Sequence, residues 1–324
     1  MQFNGLDLKI ISREEYEKDL KNISDIPVWI NPISIGIYEN KEIIKILLDN
    51  EPLVYYVVPF YYKDGKKWAE RKYRYFAYLS PYFVKKCSNK KRKEAIYLIF
   101  NYIFSNYDYM YMPLHPSFTE ISAIQGMGAF IESRHTHVLK NVMDLDELDS
   151  KLRNNIKSAS KKLKIAIDYD PSKFDFDIAI HGTKEEQECR KKNALNLLKH
   201  RKAIIFTGYY EGKPIIGNIV TFDNEWVYGL HAWQADKVPR GSGPYIIYSI
   251  SKWAFEEKGL KYFDFEGSVM QSIDNYFCNF NAEQIIYPYV HFGKTKKELD
   301  ELIEISKNID GRLFNEKKYN NWNK

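Results

Sequence analysis

Cysteine is scarce in this chain, since only three are present among 324 residues and they lie far apart. Cys87, Cys189 and Cys278 form no CxxC pair, which excludes a metal site of that pattern. The spacing also excludes a disulfide framework. We therefore expect a protein of a reducing compartment, the cytoplasm.

Long apolar runs are also missing. The longest, residues 53–62 and 95–100, are too short to span a bilayer as a helix. Residues 1–20 contain several charges and no apolar core, so no signal peptide is expected. The sequence therefore predicts a protein without a membrane span.

Several catalytic signatures are absent too. No Gly-x-Ser-x-Gly elbow and no GxxxxGK[ST] loop occurs, which disfavours α/β-hydrolases and P-loop enzymes. No HExxH motif occurs, and His115, His135, His137 and His181 are scattered without a metal-ligand spacing. We therefore expect no metal site.

Charge and hydrophobicity are sufficient for a folded protein of two domains. Hydrophobic residues make up 44% of the chain, the net charge is +5, and the pI is near 8.7. This mild basicity permits a phosphate-bearing or acidic partner without requiring one. We expect an N-terminal domain at 1–143, a second domain at 144–314 that carries the active site, and a polar tail at 315–324.

The two halves repeat one order of elements. Residues 53–112 and 203–266 both read as strand, turn, strand, loop, helix, strand, at an offset of roughly 150 residues. The pattern predicts an α/β fold with mixed sheets, built from two copies of one domain. Ligands favour domain interfaces, so we expect the site in the cleft between the copies.

Local signals place several element boundaries. Capping-box spacings predict helix starts at Ser12, Thr183 and Asp144. The helix after Asp144 carries an apolar stripe, and Arg153 and Lys157 fall on nearly the opposite face. Those cations indicate either a solvated face or a basic wall over the substrate cleft. Residues 73–79 read as a strand.

The segment Arg240-Gly241-Ser242-Gly243 precedes a helix with an apolar face. Ser242 is suited to cap this helix, and Pro244 suits its first turn. A helix start of this kind binds anions such as a pyrophosphate or a carboxylate, through free N–H groups and the helix dipole. The same four residues also suit a plain tight turn.

The strand expected at residues 261–266 ends in two carboxylates. Asp264 and Glu266 share one side of it, at the carboxyl end where α/β sheets present ligand sites. Close like charges raise the pKa of one carboxyl, which suits a general base. A solvated strand end remains the alternative.

Three segments together resemble FemAB-like proteins, the double-domain branch of the GNAT acyltransferase superfamily. They are Phe-Asp-Phe-Glu-Gly-Ser at 263–268, Tyr-Phe-Cys-Asn-Phe-Asn-Ala-Glu at 276–283, and the basic segment 148–162. Two positions depart from the family pattern: Cys278 stands where many members carry Lys or Arg, and Asn281 where they carry Gly. The resemblance implies two tandem GNAT-like domains with a cleft between them.

The resemblance implies an acyltransferase in which an amine attacks a thioester or ester carbonyl. Glu266 is then the expected base, with Asp264 beside it and a backbone N–H near residues 229–232 facing the oxyanion. His231 either assists or is a satisfied core histidine, and Tyr276 or Tyr245 is the expected donor to the leaving group. The implied cofactor-binding residues are Arg240, Gly241, Ser242 and Gly243, and the implied substrate-binding residues are Arg153, Lys157, Trp233, Gln234, Ser268 and Phe280.

Three functions stay open at this point. The first is acyl transfer, with acetyl-CoA or another acyl-CoA as co-substrate and no tightly bound cofactor, to an amine on a sugar nucleotide, a glycan precursor of the cell envelope or a similar small acceptor. The second is aminoacyl transfer from tRNA, as in the peptidoglycan-bridge branch, which the lack of a 50-residue charged helical insertion disfavours. The third is a non-catalytic binding protein on the same fold.

Overall fold

The computed structural model describes residues 2–21, 23, 26–71, 75–267 and 271–309. The polar tail expected at 315–324 lies outside them. The first half contains β1 (Gln2–Phe3), β2 (Leu6–Ile11), α1 (Arg13–Leu20), α2 (Pro32–Ile35), β3 (Lys41–Leu48), β4 (Glu51–Lys63), β5 (Lys66–Glu70), β6 (Tyr82–Phe83), α3 (Asn89–Asn106), β7 (Tyr109–Pro113), α4 (Ile121–Gln125) and β8 (Phe130–Leu139).

The second half repeats much of this order. It contains α5 (Ser150–Ser160), β9 (Lys164–Asp168), α6 (Phe176–Ala179), α7 (Lys184–Lys199), β10 (Ala203–Tyr210), β11 (Lys213–Phe222), β12 (Trp226–Gln234), α8 (Ser242–Lys252), β13 (Tyr262–Asp264), α9 (Gln271–Cys278), β14 (Glu283–Gly293) and α10 (Lys296–Ile309). Among the described residues, no helix combines the length and the apolarity that a bilayer crossing needs.

Each half contains a parallel strand pair joined by a crossover helix. In the first half β5 pairs with β7, and α3 connects them. In the second half β12 pairs with β13, and α8 connects them. An antiparallel meander leads into each unit, β3–β4–β5 and β10–β11–β12. The predicted repeat of element order is therefore confirmed.

The two halves exchange strands. β8 follows the first unit in sequence but pairs with β13 of the second, while β14 follows the second unit and pairs with β7 of the first. β8 and β14 also pair with each other, so the strands of the described residues form a single 14-stranded sheet. The domain boundary at 143/144 remains a prediction, and the hydrogen-bonded sheet continues across it.

Apolar side chains fill the space between this sheet and its helices. One buried cluster includes Tyr55, Phe100 and Met110, and a second, under α5 and α8, includes Phe206 and Trp253. The stripe predicted on the α5 segment is buried in the second cluster at Ile156 and Ala159, which fixes α5 against α8. Burial of side chains of this size stabilises the fold by about 1.5–3 kcal/mol each.

Two of the predicted boundaries are wrong. A strand is expected at residues 73–79, but residues 75–79 form no strand, and residues 72–74 lie outside the described part. The strand that follows β4 and pairs with it is β5. The helix expected to start at Asp144 begins at Ser150, because Asp149 accepts a hydrogen bond from the Lys151 N–H at 2.8 Å and caps it. The capping boxes at Ser12 and Thr183 are confirmed, since each side chain accepts a hydrogen bond from the N–H three residues later.

Candidate active site

A cavity opens where the parallel pair of the second half ends. Pairing between β12 and β13 stops at Tyr228 and Asp264, and β12 continues without β13 to Gln234. On its other edge β12 carries a bulge at Leu230, where its register against β11 shifts by one residue. The resulting cavity holds about 630 Å³. Its lining includes Gly243, Ile246 and Ile247 of α8, residues 229–234 of β12, Phe265, Glu266, and Ile273, Tyr276 and Phe277 of α9.

Glu266 lies on the wall of this cavity, where the chain turns away from the sheet. Glu266 and Gly267 both have a left-handed backbone, with φ of 59° and 61°. The Glu266 side chain therefore does not continue the strand alternation that the sequence predicts. Burial, followed by the negative charge of Asp264, raises the pKa of Glu266 to about 8. The positive charges of Arg71 and Arg190 oppose this rise. The group can therefore both accept and release a proton near neutral pH.

Asp264 lies behind Glu266 and is fully buried. Its carboxylate accepts hydrogen bonds from the Thr136 hydroxyl at 2.5 Å, the Tyr78 hydroxyl at 2.9 Å and the Glu266 N–H at 2.7 Å. The Thr136 oxygen in turn accepts the Gly267 N–H at 2.8 Å. Burial raises the pKa of Asp264 to about 6. Because Asp264 accepts three hydrogen bonds, one of them from the Glu266 N–H, and does not line the cavity, its geometry is that of a residue that positions Glu266.

His231 and Tyr276 both reach the cavity, as the sequence suggested. Burial, together with the nearby Arg190 charge, lowers the pKa of His231 to about 3, so the imidazole is neutral at pH 7 and can donate or accept a hydrogen bond. Burial also raises the pKa of Tyr276 above its usual value, so its hydroxyl stays protonated. A Cβ at Gly243 would lie 3.2 Å from that hydroxyl, which places Tyr276 at the start of α8.

The glycine loop reaches the cavity through Gly243. The expectation that Ser242 caps α8 is wrong: Gly241 occupies the cap position at a φ of 89°, and the Ser242 hydroxyl donates to the Pro239 carbonyl at 2.6 Å. Gly241 packs so closely on Asn155 of α5 that a Cβ there would overlap its carbonyl. Arg240, Gly241 and Ser242 are absent from the cavity lining.

Most N–H groups at the start of α8 already donate hydrogen bonds to backbone carbonyls. The Ser242 N–H donates to the Pro239 carbonyl at 3.2 Å, and the Tyr245 N–H donates to the Gly241 carbonyl at 2.9 Å. Pro244 has no N–H. At most one N–H of these four helical residues, that of Gly243, is available to an anion, which makes this helix start a weak pyrophosphate cradle.

The expected substrate-binding residues divide into three groups. Trp233 and Gln234 line the cavity. Phe280 lies behind its wall, only 1% exposed, where its ring packs against those of Tyr276 and Phe265. Ser268 lies outside the described residues.

The structure places the basic face of α5 away from this cavity, which agrees with the solvated face, one of the two alternatives that the sequence left open. Arg153 and Lys157 are absent from the cavity lining, and the Arg153 guanidinium lies 3.5 Å from the Asp146 carboxylate. These cations lie on the far side of α5 because its apolar face is buried against α8.

Two arginines near the site carry no signal in the sequence. Arg190 comes from α7, and its guanidinium donates to the carbonyl of His181, a cavity residue, at 3.4 Å. Arg71 follows β5 in the first half, and both charges act on Glu266. Neither lies within 70 residues of Glu266, so only the tertiary fold brings them there.

A second cavity, of about 650 Å³, lies between the two halves, in the cleft that the sequence predicts as a ligand site. Its buried histidine, His115, stacks on Trp29 and lies 2.7 Å from the Ser117 hydroxyl and 3.1 Å from that of Tyr228. Burial lowers the pKa of His115 to about 3. Since the candidate acid and base groups lie in the cavity beside β12, the candidate active site belongs to the second half.

The fold and this cavity define a tandem GNAT architecture, and comparison with known proteins agrees. No family model and no curated protein sequence matches the chain. Among solved structures, FemX matches with a TM-score of 0.63 at 11% identity, over 92% of this chain and 100% of its own. The predicted resemblance to the FemAB-like GNAT fold is thereby confirmed.

Two further structures show the same fold. L-PGS from Bacillus licheniformis matches with a TM-score of 0.57 at 10% identity, over 94% of this chain and 98% of its own. A tandem GNAT protein from the clavulanic acid biosynthesis pathway, solved without AcCoA, matches with a TM-score of 0.51 at 8% identity, over 88% and 97%. At such identities the likeness concerns the fold alone.

Proposed function

We propose that this chain is an N-acyltransferase whose general base is Glu266. The observation that carries this proposal is a carboxylate with a pKa raised to about 8, on the wall of a cavity at the open end of a parallel strand pair. A base with a pKa close to the working pH is the most effective one for removing a proton from an amine.

The proposed reaction uses groups on three sides of the cavity. The acceptor amine attacks the acyl carbonyl, a C–N bond forms, and its proton passes to Glu266. N–H groups of residues 229–232, beyond the end of the β12–β13 pairing, face the developing oxyanion. The bond to the leaving group then breaks, and the Tyr276 hydroxyl protonates that group. Glu266 afterwards releases its proton to solvent, and the Tyr276 oxygen takes one up, which restores both groups. His231, being neutral, donates a hydrogen bond and does not act as the base.

The donor is an activated acyl group of one of two classes. Acyl-CoA suits the GNAT architecture, and the acceptor is then a sugar nucleotide, a glycan precursor or a similar small amine. Aminoacyl-tRNA is the second candidate, favoured by the similarity to FemX and by the few N–H groups that α8 offers to a pyrophosphate. The similarity to the C-terminal domain of a putative lysylphosphatidylglycerol synthetase also favours an aminoacyl donor.

The helical arm expected of a tRNA-dependent enzyme is absent from the part of the chain that the structure describes. The longest helix there, α3, has 18 residues. An enzyme of this form would have to bind tRNA through surface cations instead, and its affinity would fall steeply with salt.

Glu266→Gln tests the base. The change keeps the shape of the side chain and removes its proton affinity, so kcat should fall by about 10²–10⁴-fold with a smaller change in KM. Glu256→Gln, at an exposed position of the segment after α8, is the control and should keep full activity. Full transfer activity in Glu266→Gln would contradict the proposal and leave the non-catalytic alternative.

Thermal unfolding with millimolar acetyl-CoA separates the donors. A ligand at about 100 times its Kd stabilises the fold by about 2.7 kcal/mol, which raises Tm visibly. A rise that is lost in a Gly243→Val variant would support acyl-CoA at the start of α8. No shift with acetyl-CoA, together with transfer from charged tRNA, would assign the aminoacyl donor.

A further inference from the structure

Two histidines and an aspartate come together beside the candidate active site. His135 and His137 are two residues apart on β8, so their side chains lie on one face of the strand. The Asp274 carboxylate of α9 lies 3.0 Å from His135 Nε2 and 2.7 Å from His137 Nε2. Among the described residues, this is the one group of three potential ligands with all ligand atoms within 4.8 Å of one another.

We propose that His135, His137 and Asp274 bind a divalent transition-metal ion, with zinc as the preferred one. Two imidazoles and one carboxylate form a ligand set that suits zinc and leaves a position open to solvent. Metal–ligand bonds of about 2 Å place two ligands on one ion roughly 3–4 Å apart, so the observed separations need only small shifts. This site does not depend on the proposed acyl transfer.

The surroundings of the three side chains suit an ion that enters from solvent. His137 is buried, and its ring packs near that of Phe277, which fixes one ligand before the ion arrives. His135 and Asp274 have side chains exposed by 41% and 26%, which gives an ion a route to the site. An incoming ion would take the place of the two contacts that Asp274 now makes with the Nε2 atoms of the histidines.

The position of the ion explains what it would do. Asp274 lies on α9 next to Ile273, and Ile273, Tyr276 and Phe277 of the same helix line the cavity. A metal bonded to both α9 and β8 would fasten this wall of the cavity to the central sheet. The ion would thus order the wall without touching the reacting atoms.

The test is zinc titration of the tag-free, chelator-treated full chain by calorimetry, with cobalt(II) absorption as a second measurement. The unaltered chain should bind one ion per molecule. His135→Gln is the main variant, since its exposed position puts folding at little risk, and Asp274→Asn is the second. Each should weaken binding by at least about tenfold, since even the loss of an outer partner costs that much.

Two controls keep the result specific. His200→Gln, at an exposed position after α7, should leave binding unchanged. Cys278→Ser, one helical turn beyond Asp274, should also retain one ion per molecule. Loss of the ion in Cys278→Ser, binding that persists in His135→Gln, or no binding at micromolar zinc would each overturn the proposal.

Discussion

Asp264 and Glu266 are two residues apart and both carry a carboxylate, but their surroundings suit them to different roles. Asp264 accepts three hydrogen bonds from the protein, whereas Glu266 faces a cavity that can hold a ligand. The positive φ of Glu266 separates the two side chains, which regular strand alternation would have left on one side. The pair therefore consists of one positioning residue and one proposed base.

The raised pKa of Glu266 predicts the pH dependence of activity. Because burial and the charge of Asp264 raise that pKa to about 8, the base form gains population as the pH rises through about 8. The transfer rate, measured as kcat/KM between about pH 6 and about pH 9, should rise to a plateau above pH 8. A rising limb near the ordinary carboxyl value, about 4.3, would contradict this assignment.

The same shift predicts an effect on stability, with a defined sign. A carboxyl whose pKa is higher in the folded than in the unfolded state stabilises the fold below its unfolded pKa, and this stabilisation is lost as the pH rises through the folded value. For Glu266 this stabilisation is lost over the pH range between the ordinary pKa of a glutamate and a pH of about 8. Glu266→Gln should therefore raise Tm relative to the unaltered chain more at pH 8 than at pH 5.

Thermal scans at these two pH values check this prediction. Glu256→Gln serves again as the exposed control, and its difference in Tm from the unaltered chain should be the same at both. An equal Tm difference for Glu266→Gln at both pH values would show that the group does not titrate in this window.

At the scale of elements, the contact between α5 and α8 fixes the position of the glycine loop. A Cβ at Gly241 would overlap the Asn155 carbonyl, and the φ of 89° is itself strained for other residues. Gly259 has a similar left-handed φ of 64°, but a Cβ there would meet no atom within 4 Å. The two glycines therefore form a matched pair with different packing.

Gly241→Ala should lower the free energy of unfolding more than Gly259→Ala does, and the difference should reflect the contact with Asn155. Each pays about 1–2 kcal/mol for the left-handed backbone. Gly241→Ala should cost a further 1–3 kcal/mol, roughly, because α5 must shift to make room. Urea denaturation of both variants measures the difference, and equal free energies of unfolding would show that α5 and α8 are not rigidly packed.

Secondary-structure elements that depend on contacts between residues close in sequence could be predicted. Those that depend on contacts with residues far along the chain could not. The capping boxes at Ser12 and Thr183 are satisfied within one helical turn, so their sequence signal was sufficient. Residues 75–79 have the aromatic content of a strand, but they are buried in a loop whose Tyr78 hydroxyl bonds to Asp264, far along the chain. Single-sequence patterns do not register such partners.

The candidate site divides in the same way. Glu266, His231 and Tyr276 could be proposed because strand ends and family-like motifs mark them, and all three line one cavity. Arg190 and the cluster around Asp274 could not, because their relevance comes from contacts across more than 70 residues. The sequence shows that His135 and His137 are two residues apart, but it does not show that Asp274 lies beside them.

At the scale of the molecule, the exchange of β8 and β14 makes each half incomplete on its own. Without β14, β7 has an open edge, and without β8, β13 has one. Open edges of this kind promote aggregation. We therefore expect the fragments 1–143 and 144–324, produced separately, to be insoluble or to lack cooperative unfolding.

Co-production of the two fragments is the matching experiment. Paired β8 and β14 should restore the sheet, so the fragments should co-purify as one complex by gel filtration. A fragment that alone is monomeric and unfolds cooperatively would show that the halves are independent and that the exchange contributes little to stability.

The exchange also sets an order of events during synthesis. The ribosome releases β7 long before β14, the strand that must lie between β7 and β8, because about 170 residues separate them. The nascent first half therefore keeps the edge of β7 uncovered until β14 has emerged. Translation pauses or truncations ahead of β14 would thus leave products that chaperones must hold or proteases remove.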